Sequence, residues 1–186
     1  MIFNEHSELE GRHAFLSPSQ YHWMNYSDEK LRNVYIKHLA VERGTRLHEI
    51  AQKLIQEGIR LPENGGTLAM YVNDAIDFNM STEKFLKYSE NCFGRADAIS
   101  FRRRRLRIHD LKTGVTPAHM EQLKGYAALF CLEYKVKPRD TKFTLRIYQS
   151  DDILELEPEP FEIEQLMEDI VRKDKIIDKI NSEMER

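Results

Sequence analysis

Apolar residues recur every three or four positions from Leu31 to Leu39 and again from Leu47 to Ile55, which is the spacing that forms one face of an α-helix. The tripeptide Ser27-Asp28-Glu29 places an N-cap residue and two acids where such a helix would begin. Gly58 stands where it would end. We therefore expect a long helix, in which Gly44 marks either a break or a close contact.

Shorter helices are expected on both sides of this one. Ser17-Pro18 has the residue types preferred at an N-cap and a first helical position, so a helix should follow a lead-in over residues 1–16. The segment Leu68 to Phe78 predicts another helix. Ser81-Thr82-Glu83 would either restart a helix or lead into a strand. Residues 17–84 should thus be mainly helical.

Residues that favour β-structure dominate from residue 85 onward. We expect three successive strands, at Lys87 to Phe93, Ala96 to Phe101 and Leu106 to Leu111, of which the last two would form a hairpin. The segment Lys142 to Gln149 alternates apolar and polar residues, which predicts a fourth strand.

Helices are expected between and after these strands. Pro117 would stand in the first turn of an amphipathic helix, and a terminal helix would cover residues 161–184. Residues 85–150 then form a β-β-β-α-β core. The pattern predicts a single α/β domain over residues 1–186, with a small mixed β-sheet of about four to five strands flanked by helices.

The formal net charge of −3 gives the chain no general attraction to nucleic acid. A local basic cluster lies at the expected hairpin tip, where it is either a solvated turn or a phosphate contact. Its members are Arg102, Arg103, Arg104, Arg105 and Arg107.

The two cysteines, Cys92 and Cys131, form no C-x-x-C pair and support neither a structural zinc site nor a four-thiolate iron–sulfur cluster. No apolar run approaches the length that spans a bilayer, and residues 1–10 are charged rather than signal-like. We expect a cytoplasmic protein without a membrane partner.

Asp110 and Lys112 stand at the end of a predicted strand and are two residues apart, so both side chains should point to one face. Asp97 begins the preceding strand, and a hairpin would bring it beside them. Gly94 would permit a tight turn or a close backbone approach. Neighbouring carboxylates repel unless a proton or a cation joins them, and Mg²⁺ or Mn²⁺ prefers oxygen ligands. An ordinary ion cluster is the alternative interpretation.

His48 lies within the long predicted helix, where a single histidine is more often a core or surface residue than a ligand. Gln52 occupies the position of the second histidine of the zinc-protease motif H-E-x-x-H, which excludes that class. Gln122 and Tyr126 are four residues apart and so share one face of the helix that follows the Asp110 strand. Alone, they would be a surface residue and a core residue.

In this order the residues resemble the PD-(D/E)XK nuclease superfamily, specifically its RecB-like branch, from about residue 17 to about residue 150. His48 matches the metal-ligating histidine of an N-terminal helix, and Leu16-Ser17-Pro18-Ser19 is similar to the L-S-x-S opening of such domains. Gly94-Arg95-Ala96-Asp97 resembles the G-x-x-D strand. Asp110-Leu111-Lys112 resembles the (D/E)-x-K pair, and the segment from Gln122 to Tyr126 the Q-x-x-x-Y element of RecB-like and phage exonucleases.

This resemblance implies a restriction-endonuclease-like core and a divalent-metal-dependent deoxyribonuclease, more specifically an exonuclease of DNA recombination, repair or processing. Asp97, Asp110 and Lys112 would be catalytic. One or two Mg²⁺ or Mn²⁺ ions would be held by His48, Asp97, Asp110 and the backbone carbonyl of Leu111. The residues expected to support Lys112 or to contact DNA are Gln122, Tyr126, Arg46, Arg95 and Lys124.

The chain departs from some RecB-like nucleases in lacking the four cysteines of their iron–sulfur cluster. It resembles the compact members encoded by bacteriophages, which implies a bacterial or phage-infected cell. DNA is the expected partner. A single-strand annealing protein or a helicase is a candidate further partner, and homo-oligomerisation is left open. The competing hypotheses are a structure-selective endonuclease and a non-catalytic nucleic-acid-binding or assembly protein.

Overall fold

The computed structural model describes residues 4–114 and 116–184. The chain divides into two compact units, residues 1–43 and residues 44–186. All the candidate site residues belong to the second unit. The expectation of a single nuclease domain stays a prediction.

The first unit contains two short 3₁₀ helices, Ser7–Leu9 and Pro18–Asn25, and the N-terminal part of helix α1, Asp28–Glu57. A helix therefore follows Ser17, as predicted, although its backbone leaves helical geometry at Gln20. The Ser17 hydroxyl forms no capping hydrogen bond and contacts another side chain instead. Capping thus contributes little to this short segment.

The second unit contains the rest of α1, a five-stranded sheet and three further helices. Gly58 follows α1 with a φ of +67°, a conformation that favours glycine, so the predicted end of the long helix is confirmed. The remaining elements are α2 (Gly66–Asp77), β1 (Ser81–Lys87), β2 (Phe93–Arg102), β3 (Arg105–Leu111), α3 (Glu121–Tyr134), a 3₁₀ turn (Pro138–Asp140), β4 (Lys142–Gln149), β5 (Asp152–Leu156) and α4 (Pro160–Met184).

The sheet is mixed, and its strands follow one another in chain order from β1 to β5. The pairs β1–β2, β2–β3 and β4–β5 are antiparallel, whereas β3 and β4 are parallel and are joined through α3. A parallel pair needs such a crossover, because its strands must start at the same edge. The predicted α/β class with a small mixed sheet between helices is confirmed.

Apolar clusters cover both faces of the sheet. On one face Leu106 and Ile108 of β3 pack in a cluster with residues of α3 and with Ile163 of α4. On the other face Leu111 packs in a cluster with Ala51 of α1 and with residues of α2. Because both faces of the sheet are covered, β3 is buried at five of its seven positions, including the polar residues His109 and Asp110. No helix in the described ranges offers a stretch long and apolar enough to cross a bilayer.

Two element predictions were wrong, and one strand had not been assigned to a segment. The first strand covers Ser81–Lys87 rather than 87–93, because residues 88–92 form the turn to β2. Helix α3 begins at Glu121, so Pro117 lies in the preceding loop. Strand β5 (Asp152–Leu156) carries no clear alternation and was not predicted; it forms by pairing with β4.

The predicted hairpin is confirmed, with Arg103 and Arg104 as its two turn residues. Both have a positive φ, of +49° and +59°. Two-residue hairpin turns favour this geometry because its twist matches that of the strands. Asparagine and glycine are the usual residues there, so two arginines are an uncommon choice.

Candidate metal and nuclease site

Asp97 is the point at which three elements of the second unit meet. Its Oδ2 atom lies 3.4 Å from Nδ1 of His48 on α1. The same oxygen accepts a hydrogen bond of 3.1 Å from the backbone N–H of Leu111, at the end of β3. The structure therefore brings together a helix residue and a strand residue that lie 49 positions apart in the sequence.

Glu83 is a site residue that sequence reasoning did not identify. One ligand atom each from His48, Glu83 and Asp97 lie within 4.8 Å of one another, and all three residues are partly buried. Glu83 and Asp97 face each other across β1 and β2, since Thr82 pairs with Ala98 on one side and Lys84 with Ala96 on the other. Recognising Glu83 from the sequence would have required the correct bounds of β1.

The backbone is irregular where these two acids lie. Glu83 has a φ of +53°, which is uncommon for a residue with a side chain. Ala96 belongs to the cluster beneath α3, whereas Ala98 belongs to the cluster beneath α1 and α2. Regular alternation would place both alanines on one face, so the sheet changes phase at Asp97. Such irregularities aim side chains away from the regular pleat and are frequent at functional sites.

Asp110 is buried on β3, with 3% of its surface exposed, and Lys112 is its partner. The Nζ atom of Lys112 lies 2.9 Å from one oxygen of Asp110 and donates a hydrogen bond of 3.1 Å to the other. Asp110 is not a member of the three-residue group around Asp97. Its role as a metal ligand, like that of the Leu111 carbonyl, stays a prediction.

Gln122 and Tyr126 extend from Lys112 along α3. Lys112 Nζ donates to Oε1 of Gln122 at 3.1 Å, and Nε2 of Gln122 donates to the hydroxyl of Tyr126 at 3.3 Å. Tyr126 also packs against Gly94 on β2, where a Cβ atom would lie 2.7 Å from the ring. The predicted close approach at Gly94 is therefore confirmed, and the Q-x-x-x-Y residues hold Lys112 rather than standing apart from it.

The electrostatics of the site favour a cation. Burial, and then the negative charge of Asp110, raise the pKa of Asp97 to about 6. Tyr71 of α2 is buried nearby: its pKa lies well above the usual value, first because of burial and then because of Asp97 and Asp110. The sequence did not identify Tyr71, which appears there only as one more apolar position of a helix. Partly buried acids with raised pKa values gain stability from a bound cation.

A second polar network lies behind β3, on the face of α2. Tyr148 of β4 donates its hydroxyl proton to Asp74 at 2.6 Å, so Nδ1 of His109 must be the donor in its contact of 3.1 Å with the Tyr148 oxygen. Burial and the cations Arg146 and Arg107 lower the pKa of His109 to about 3. His109 is therefore neutral at physiological pH and fixes β3 immediately beside Asp110.

The loop after β3 lies close to α1 because a glycine of the helix leaves room for it. At Gly44 a Cβ atom would lie 2.8 Å from Oγ1 of Thr113, so the glycine marks a close contact within an unbroken helix. Lys112 is anchored to β4 through its backbone N–H, which donates to the Tyr148 carbonyl at 2.9 Å. These contacts fix the direction in which Lys112 leaves the sheet.

The three cations predicted to contact DNA occupy different environments. Arg95 Nε lies 2.8 Å from Oε2 of Glu83, inside the candidate site. Lys124 Nζ contacts Glu162 of α4 at 2.6 Å, which uses its charge in packing two helices. Arg46 is exposed on α1 and forms no ion pair with any acid in the described ranges. Of the three, Arg46 is therefore the cation whose charge is least compensated by a neighbouring acid.

The donors present fit a divalent metal ion. One imidazole and two carboxylates within 4.8 Å are a common ligand set for Mn²⁺, Mg²⁺ or Zn²⁺. Oδ2 of Asp110 is buried and accepts no hydrogen bond from the described residues, although the Lys112 ammonium lies beside it. Glu83 and Asp110 also have cationic neighbours, Arg95 and Lys112, so the negative charge of the cluster is balanced in part without an ion.

No protein-family model matches this chain, and a search of curated proteins gives no match either. Neither comparison assigns a family or an activity. The function of the chain is therefore inferred from the arrangement of its residues.

Proposed function

We propose that this protein is a divalent-metal-dependent DNA nuclease with a restriction-endonuclease-like core. The observation that carries the proposal is the meeting of His48, Asp97 and the Leu111 N–H at one point, beside the Asp110–Lys112 pair. An isolated D-x-K pair is common by chance. Its position next to a second acid and an imidazole is what supports phosphodiester hydrolysis.

The topology gives further support. An antiparallel β1–β2–β3 unit is followed by α3, which crosses over to place β4 parallel to β3. This is the β-β-β-α-β order implied by the resemblance to PD-(D/E)XK nucleases. In that order the D-x-K strand leads, through a loop, into the helix that carries Gln122 and Tyr126.

His48, Glu83 and Asp97 would hold the ion, which we propose to be Mg²⁺ or Mn²⁺. The chemistry that such an ion supplies is charge neutralisation at the phosphate and acidification of the attacking water. Asp97 suits the task because its negative charge is costly without a cation, given a pKa raised to about 6 by burial and by Asp110. Asp110 and the Leu111 carbonyl are the candidates for further ligands.

Lys112 would stabilise the negative charge that develops on the phosphate and orient the attacking water. Asp110 and Gln122 hold its ammonium group from two sides, and Tyr126 in turn holds Gln122. Fixed hydrogen bonds lower the cost of placing a flexible lysine in one geometry. Gln122 and Tyr126 are therefore positioning residues in this proposal.

Within the nuclease class we propose an exonuclease similar to the RecB-like and phage enzymes. The motif Gln122 to Tyr126 supports this choice, since it is the part of the resemblance typical of that branch. The alternatives are a structure-selective endonuclease and a non-catalytic DNA-binding protein, and a cleavage assay on several forms of DNA distinguishes them.

The experiment compares linear, closed circular and single-stranded DNA as substrates, with Mn²⁺, with Mg²⁺ and with EDTA. Wild type is measured beside Lys112→Ala and Asp110→Ala. A matched control is Lys179→Ala, which changes an exposed lysine of α4. We expect metal-dependent loss of linear DNA by the wild type and the control, and about a hundredfold less by either site variant.

Cleavage of closed circular DNA would show an endonuclease rather than an exonuclease, because a closed circle has no end. Binding of DNA without cleavage under every metal condition would replace the enzyme by a binding protein. Cleavage that persists in EDTA, or that persists in Lys112→Ala, would contradict the proposed nuclease mechanism.

A further inference from the structure

An aromatic groove lies on the α3 side of the sheet, at its open β1 edge. Its volume is 320 Å³, within the range of small-ligand clefts. Phe85 of β1, Phe101 of β2 and Tyr134 of α3 line it and are respectively 64%, 39% and 57% exposed. We call these three residues, with Phe130 beneath them, the aromatic groove.

Three of the rings, Phe101, Phe130 and Tyr134, form a connected row, whereas Phe85 lines the groove beside them and its ring lies 5.9 Å from the guanidinium of Arg95. The centroid of Phe130 lies 5.1 Å from that of Phe101 and 4.8 Å from that of Tyr134. Phe130 is buried and anchors the row in the core, so its two neighbours are held in place while their outer faces stay open. Large aromatic surfaces left open in this way are unusual unless they bind something.

The charges around the groove are positive. Lys84 and Arg102 line it, and no acidic residue does. Lys84 has no ion pair within the described part of the chain. The Asn79 side-chain amide, with its oxygen turned toward Arg102, accepts hydrogen bonds of 3.1 and 3.2 Å from the guanidinium, which leaves the positive charge of Arg102 uncompensated. In a chain of net charge −3, such a patch favours a polyanion.

The groove is close to the candidate site along the strands. Phe85 is two residues from Glu83 on β1, and Ile99, which also lines the groove, is two residues from Asp97 on β2. Two residues of a strand span about 7 Å. The groove faces α3 and the two acids turn toward α1, so a bound strand would pass around the open β1 edge between the groove and the metal ligands.

We propose that the aromatic groove binds a nucleobase of a single-stranded DNA segment next to the bond that is cut. Bases stack on exposed aromatic rings without regard to sequence, while Lys84 and Arg102 contact the flanking phosphates. A base inside a duplex is already stacked and cannot enter. This inference rests on the proposed nuclease function and narrows its substrate to a single-stranded or frayed strand.

The test measures the binding of a fluorescent twelve-nucleotide oligo-dT by anisotropy, in a Lys112→Ala background that prevents cleavage. Phe85→Ala combined with Tyr134→Ala should weaken binding about tenfold or more. Phe85→Tyr combined with Tyr134→Phe should retain the affinity, because the rings remain. The matched control is Phe161→Ala, which removes a ring of α4 that is 60% exposed and lies outside the groove.

If the double alanine variant binds the oligonucleotide as tightly as its parent, the groove does not bind a base. The same conclusion follows if Phe161→Ala loses as much affinity as the double alanine variant. The two substituted rings, Phe85 and Tyr134, are more than half exposed, so their removal leaves no core cavity. Melting curves verify that the variants fold. Wild type that cleaves DNA but ignores the groove substitutions would overturn only this inference. Wild type that binds the oligonucleotide through the groove but never cleaves would overturn only the nuclease proposal.

Discussion

The ring of Tyr126 occupies the space beside Gly94, so that a Cβ atom at Gly94 would lie 2.7 Å from Cε1. This contact joins the G-x-x-D strand to the helix of the Q-x-x-x-Y element. The two motifs are therefore complementary in shape, and a change in one must be accommodated by the other.

Gly94→Ala is expected to destabilise the protein by about 1–3 kcal/mol, because the added methyl group overlaps the aromatic ring. The matched control is Gly125→Ala, in the middle of α3, where a Cβ atom meets nothing within 4 Å. That substitution should raise stability by up to about 1 kcal/mol through helix propensity. Urea denaturation measures both, and an equal loss for the two variants would contradict the packing argument.

Glu83→Gln is expected to weaken Mn²⁺ binding by about tenfold or more, since a neutral amide replaces one of three clustered ligands. Isothermal titration calorimetry measures this without any cleavage assay. The control is Glu90→Gln, an 86% exposed acid in the turn between β1 and β2. An unchanged affinity of Glu83→Gln would remove Glu83 from the ligand set.

Asp97→Asn is expected to stabilise the metal-free protein at pH 8. Folding raises the pKa of Asp97 from 3.8 to about 6, chiefly through burial, so the folded state holds a proton that the unfolded state lacks between these values. Wild-type stability from this group therefore falls as the pH rises from about 4 to about 6 and stays low above that. The variant avoids the loss, which is on the order of 3 kcal/mol.

Chemical denaturation in EDTA at pH 4 and pH 8 tests this. The advantage of Asp97→Asn should be present at pH 8 and small at pH 4. Saturating Mn²⁺ should then stabilise the wild type more than the variant. An advantage that is the same at both pH values would show that the charge of Asp97 is not its cause.

His109→Gln is expected to reduce the loss of folding stability that occurs as the pH falls below about 6.5. Burial lowers the pKa of His109 from 6.5 to about 3, so the unfolded state alone gains a proton as the pH falls below 6.5. The wild type should lose about 2 kcal/mol from this group between pH 7.5 and pH 5, and the variant should not. Parallel curves for the two proteins would contradict a buried neutral histidine.

Gln122→Ala is expected to slow DNA cleavage about tenfold while leaving Mn²⁺ affinity unchanged, because it removes a hydrogen-bond partner of Lys112 and no ligand. Gln165→Ala on α4 is the control for a glutamine outside this network. Initial rates and calorimetry separate the two effects. A loss of Mn²⁺ affinity in Gln122→Ala would place the residue in the metal site instead.

Much of the fold was readable from the sequence where local pattern and local chemistry agree. The helical spacing from Leu31 to Leu39 and from Leu47 to Ile55, with the stop at Gly58, predicted α1, and the alternation from Lys142 to Gln149 predicted β4. The hairpin between β2 and β3 was predicted from two short segments rich in β-forming residues with a charged turn between them. Each of these depends on neighbours in the chain, so no tertiary contact was needed to anticipate it.

Other elements depend on distant partners, and there the pattern failed. Strand β5 forms by pairing with β4, and β1 forms by pairing with β2. The sequences of β1 and β5 show no regular alternation of apolar and polar residues. The predicted helix start at Pro117 was wrong because residues 117–120 form a loop before α3. Pairing and packing outweigh local preference in short segments of this kind.

The sequence by itself determined which residues have the chemistry for a metal site: His48, Asp97, Asp110, Lys112 and their neighbours on α3. Only the tertiary structure decided how they are grouped. It placed Glu83 with His48 and Asp97, and Asp110 with Lys112. The physical reason is the change of phase at Asp97, where a positive φ at Glu83 turns two opposite acids toward α1. Spacing along the chain cannot encode that turn, because it depends on how two strands pair.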